Sequence, residues 1–101
     1  MTRKIYKYPL LVQTRQEIQL PIGFKILTAG LQADNPFIWC LVNPEETTTV
    51  TVQFILIGTG EELAYAANTH NYIGTFHTRV GFVFHLFEKI TQKEYVIDEN
   101  S

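Results

Sequence analysis

The run Phe37-Ile38-Trp39-Cys40-Leu41-Val42 is unbroken apolar sequence, and nothing else in the chain constrains the fold as tightly. It is too short, and too rich in aromatic and β-branched residues, for a buried helix. Read as a strand, it sends Phe37, Trp39 and Leu41 to one face and Ile38, Cys40 and Val42 to the other. A strand apolar on both faces has to be covered on both. Asn43-Pro44-Glu45-Glu46 follows with Asn and Pro at the positions a type I turn favours. The chain then returns over Thr48–Ile57, with Val50, Val52, Phe54 and Leu56 on one face and Thr49, Thr51 and Gln53 on the other. We therefore expect residues 36–57 to form a β-hairpin at the centre of the domain, flanked by further strands.

The remaining chain supplies those strands. Arg3–Leu11 reads as an edge strand, since Pro9 cannot donate to a ladder and lysines commonly blunt edges. Gln13–Gln16 should be a turn, Glu17–Leu20 a short strand, and Leu20-Pro21-Ile22-Gly23 a type I turn with Pro at its second position. Phe24–Gln32 is the next strand, and Asp34-Asn35-Pro36 connects it to the apolar run. Beyond Gly58-Thr59-Gly60, a capping-box pairing of Thr59 with Glu62 precedes Glu61–Ala67, where we expect at most two turns of helix. Asn68–Asn71 should be a polar loop and Tyr72–His77 a strand interrupted by Gly74. Thr78-Arg79 should be a turn tip, and Val80–Ile90 the last strong strand. Tyr95-Val96-Ile97 offers an edge strand within an otherwise polar tail.

The pattern is all-β: one antiparallel β-sandwich or small barrel of about seven strands with one short helix at most. Residues 1–90 form a single domain and 91–101 a polar tail. A chain of 101 residues buries roughly 60–70% of its unfolded surface, enough for a core without cross-links. The net charge of −2 disfavours sequence-independent nucleic-acid binding and docking on anionic lipid, both of which need basic surface. The single cysteine, Cys40, reads as a small core residue. With no leader-like opening segment, this leads us to expect a cytoplasmic protein. No apolar run approaches the ~20 residues of a membrane helix.

Chemistry-bearing patterns are sparse. Gly58-Thr59-Gly60 after a strand is a candidate anion loop, because backbone N–H groups there could face a phosphate. However, Leu63 stands where a third glycine belongs, no Lys-Ser/Thr follows, and Glu61-Glu62 would repel an anion. His70, His77 and His85 match no zinc spacing. The carboxylates fall in turns and near the chain end, the only serine is Ser101, and Cys40 has no base near it in sequence. We therefore expect no enzyme, no cofactor and no metal. Aromatics beyond what the core needs, Tyr6, Tyr8, Tyr65 and Tyr72 among them, are candidates for a subunit interface.

Several blocks taken in order resemble a family of small uncharacterised bacterial and phage proteins known only as a domain of unknown function. They are Ile5-Tyr6-Lys7-Tyr8-Pro9-Leu10, Leu20-Pro21-Ile22-Gly23-Phe24-Lys25-Ile26-Leu27, and the apolar run at 37–42. Ile57-Gly58-Thr59-Gly60, Tyr72-Ile73-Gly74-Thr75 and Phe82-Val83-Phe84-His85-Leu86-Phe87-Glu88 follow. The resemblance implies a phage or prophage setting and a cytoplasmic or virion-associated protein, and transfers no catalytic residue. The expectation is a homo-oligomeric, non-catalytic interaction or accessory protein with a phage or host protein as possible partner. The alternative is a small-ligand or single-stranded nucleic-acid binding module built on the Gly58–Glu62 loop and exposed aromatics.

Overall fold

In the computed structural model, which describes residues 2–63 and 69–90, seven strands build two antiparallel sheets. They are β1 (Lys4–Pro9), β2 (Arg15–Pro21), β3 (Lys25–Gln32), β4 (Asn35–Val42), β5 (Thr49–Gly58), β6 (His70–His77) and β7 (Val83–Lys89). The three-stranded sheet has the order β1-β4-β3 and the four-stranded sheet β2-β5-β7-β6. The sheets bury a common core. Ile38, Cys40 and Val42 come from one side; Leu20, Val52, Phe54, Leu56, Phe76 and Leu86 come from the other. This is a sandwich rather than a barrel.

The expected central hairpin does not form. β4 pairs with β1 and β3, whereas β5 pairs with β2 and β7. The Asn43–Glu46 turn is present, with Glu46 N donating to Asn43 O at 3.0 Å and Glu45 N to Asn43 Oδ1 at 3.1 Å. It carries the chain from one sheet to the other instead of folding it back beside itself. Both strands are too apolar to sit together at an edge, so each becomes an interior strand of its own sheet. The two faces of β4 differ accordingly. Ile38, Cys40 and Val42 are fully buried, while Phe37, Trp39 and Leu41 are half-buried on the outer face.

The observed hairpins are β3-β4 and β6-β7. In the first, Ala33 and Asp34 both take positive φ (51° and 65°) between the paired Gln32 and Asn35. That is a two-residue turn whose twist matches the flanking strands. In the second, Gly81 N donates to Thr78 O and Thr78 N to Phe82 O, with Gly81 at φ 98°. β7 therefore begins at Val83, later than expected, and leaves Val80 and Phe82 exposed at the tip. The turn after β2 is also displaced by one residue. Pro21 remains in the edge strand β2 and Phe24 N donates to Pro21 O, which puts Gly23, at φ 88°, in the third turn position.

Arg15 and Gln16, read as turn, lie in β2. The buried Gln16 amide closes the preceding loop by accepting from Leu11 N and donating to Leu11 O and Gln13 O. Most of the expected Glu61–Ala67 helix and all of the tail strand at Tyr95–Ile97 lie outside the described residues; Glu61–Leu63 are not helical.

Candidate functional site

Polar side chains converge on the outer face of the four-stranded sheet, around His85. In a regular strand Tyr72 and Thr75, three residues apart, would face opposite ways. A bulge between Tyr72 and Gly74 inserts one extra residue into β6 and brings both onto the outer face, opposite Phe87 and His85 of β7. The Tyr72 hydroxyl then hydrogen-bonds Thr75 Oγ1, and Thr75 Oγ1 lies 3.0 Å from His85 Nδ1. On the other side of the ring, His85 Nε2 lies 2.7 Å from Thr59 Oγ1. With a neutral imidazole the donors run in one consistent direction set by the tautomer, either from Tyr72 through Thr75 and His85 to Thr59 or the reverse.

Thr59 places this chain beside a surface cleft of about 470 Å³ bounded by the Gly58–Glu61 and Gly81–Phe84 segments. A smaller cleft of about 130 Å³, lined in part by Val12 and Leu56, adjoins it and shares Glu61 and Phe84. Phe82 and Phe84 stand with ring centroids 6.2 Å apart at 35°, and Phe82 is 62% exposed. Two backbone donors of the Gly58-Thr59-Gly60 loop, and that of Glu61, face inward. Gly58 N donates to the Glu61 carboxylate, Thr59 N to Val83 O at 3.2 Å, and Glu61 N to Gly58 O at 3.1 Å.

The residues singled out in the sequence are thus partly gathered and partly scattered. Thr59, Tyr72 and His85 entered as members of three separate readings and lie on one hydrogen-bond chain. His70 and His77 occupy opposite ends of β6, seven strand residues or about 23 Å apart. Among the described residues no three His, Cys, Asp or Glu side chains group as metal ligands would. Tyr6 is exposed on β1, Tyr8 packs against the core, and Tyr65 lies outside the described residues. Tyr72 is exposed and meets Phe87 edge-on at 5.7 Å. Thr75, Glu61 and Phe82 were missed as site residues. The one available signal was Gly74, since glycine inside a strand pattern marks a bulge.

Burial raises the Cys40 thiol pKa to about 12, with the Glu88 carboxylate adding to the effect. A buried thiol held protonated is no nucleophile at neutral pH.

Fold and site together define a small two-sheet β domain with a histidine-centred polar chain opening on an aromatic cleft. The chain belongs to the family described as a domain of unknown function (DUF7352), which spans residues 1–96. No curated protein and no solved structure matches it.

Proposed function

We propose that this is a non-catalytic interaction protein that self-associates through the edge of β1 that no other described strand covers, in a phage, prophage or bacterial setting and in the cytoplasm or a virion. The setting rests on the sequence resemblance alone. The self-association reading is carried by the hydrogen-bond parity of β1. Leu10 N donates to Pro36 O, and the ladder alternates, so Lys4, Tyr6 and Tyr8 direct their backbone groups to β4. Ile5 and Lys7 direct theirs away from the sheet, and Pro9 has no donor to direct.

A two-fold pairing of β1 with its copy, centred on Tyr6, would set Ile5 opposite Lys7 and Lys4 opposite Tyr8. No lysine would then face a lysine. The pairing would also bring the two outer faces side by side, each carrying Ile5, Phe37, Trp39 and Leu41 with Lys7 laid over Phe37. A single such face of three strands is about 14 Å wide and covers about 370 Å², less than the roughly 800 Å² each partner contributes to a stable interface.

The test is the solution mass by light scattering on the full chain. We expect twice the 11.6 kDa of one chain. Ile5→Pro removes an outward N–H and no bond to β4, so it should give a folded monomer. A monomeric parent, or an unchanged mass in a folded Ile5→Pro variant, overturns the reading.

A further inference from the structure

We propose that the cleft between Gly58–Glu61 and Gly81–Phe84 binds an organic cation, an ammonium or guanidinium group, between the Glu61 carboxylate and the rings of Phe82 and Phe84. The inference is independent of self-association, which uses the other sheet. The sequence offered an anion loop here and already set Glu61-Glu62 against it; the geometry favours the opposite charge.

An anion would need backbone donors. Those of Gly58, Thr59 and Glu61 are already spent on Glu61, Val83 and Gly58 respectively. Among the described residues the full charge lining the cleft is the carboxylate of Glu61, and no lysine or arginine among them lines it or the adjoining cleft. One Glu61 oxygen receives the Gly58 N–H, but a carboxylate offers about four acceptor positions, so capacity remains for a cation. Aromatic faces attract ammonium and guanidinium groups through the ring quadrupole. This chain already makes that contact elsewhere, with Lys7 Nζ 4.6 Å from the Phe37 centroid. The adjoining recess, where Val12 and Leu56 stand beside Gln13 and Thr14, has room for an alkyl stem, and the Thr59 hydroxyl, held by His85, offers a further polar contact at the mouth.

The experiment is an amide and imidazole NMR titration of the full chain with tetramethylammonium, n-butylguanidinium and a capped Ala-Arg-Ala peptide, against sodium sulfate. We expect the cations to shift Gly58–Glu61, Gly81–Phe84 and the His85 ring with millimolar affinity, and sulfate to leave them unmoved. Tighter binding of the peptide assigns the site to an arginine side chain of a partner; equal or weaker binding assigns it to a free small cation. Glu61→Gln keeps an acceptor for Gly58 N–H while removing the charge, and should weaken binding about tenfold or more. Phe82→Leu should weaken it about fivefold. No shifts with any cation, shifts with sulfate instead, or unchanged affinity in a folded Glu61→Gln protein overturns the proposal.

Discussion

The indole of Trp39 lies across Gly30 of the neighbouring strand, where a Cβ would meet ring carbon Cζ3 at 3.7 Å. That spacing is ordinary van der Waals contact, so the indole covers the backbone without needing a glycine beneath it. Gly30→Ala should therefore be neutral or raise stability by up to about 1 kcal/mol, through a less flexible unfolded chain. Trp39→Ala should cost about 2 kcal/mol, since the ring is only half-buried. Urea midpoints followed by far-ultraviolet dichroism, which survives loss of the sole tryptophan, check both.

Ala33 stands in the left-handed region at φ 51°, where a residue with a Cβ and no polar side chain is about 1–2 kcal/mol uncomfortable. Asparagine tolerates that region and suits the first position of this turn. Ala33→Asn should raise stability by about 0.5–1 kcal/mol. Asp34, beside it, should not be changed in the same way, because its Oδ1 accepts from Arg79 N at 3.3 Å and ties the two hairpin tips together.

Gln16 makes three side-chain hydrogen bonds to the Leu11–Gln13 segment from a buried position. Gln16→Glu keeps the acceptor for Leu11 N but turns a second oxygen, with no donor, toward two carbonyls. Its cost should be about 2–3 kcal/mol, and larger at neutral than at acid pH, where the protonated acid regains a donor. Chemical denaturation at both pH values separates the two.

The pH dependence at the alkaline end follows from Cys40. Its pKa rises from an ordinary 9.0 to about 12 on folding. The folded state therefore holds a proton that the unfolded chain releases. Stability linked to Cys40 is intact below pH 9 and falls between there and pH 12. Cys40→Ala should remove this part of the alkaline slope while costing some core packing. The native thiol should also resist iodoacetamide at neutral pH and react once the protein is unfolded.

The strands were legible in the sequence because their signals are local. Alternation at Val50–Leu56 and the run at Phe37–Val42 specify strands whatever lies around them. Partnership is not local. The turn at Asn43–Glu46 reads the same whether it folds a hairpin or carries the chain between sheets. The choice is made by β1 and β2, which come earlier in the chain and claim the flanks of β4 and β5. Gly81 and Gly23 moved two turns by one or more residues because a positive φ, rather than proline, decides where the chain reverses. The candidate site was hidden for a related reason. Thr59, Thr75 and His85 meet only through the pairing register and a bulge, and no spacing in the sequence encodes either.

The passage from β4 to β5 across the sandwich has a consequence for biosynthesis. β1 and β2 leave the ribosome first, yet their only ladder partners among the described residues, β4 and β5, begin at residues 35 and 49. The three-stranded sheet is complete once β4 ends at Val42, but β2 finds its ladder partner only when β5 appears, so any cut between β2 and β5 separates that pair. β1 waits for its partner until residue 35 and β2 until residue 49. The four-stranded sheet thus forms late and through distant pairings, slow by the standards of its size, and the lysines of β1 help keep the waiting strand in solution.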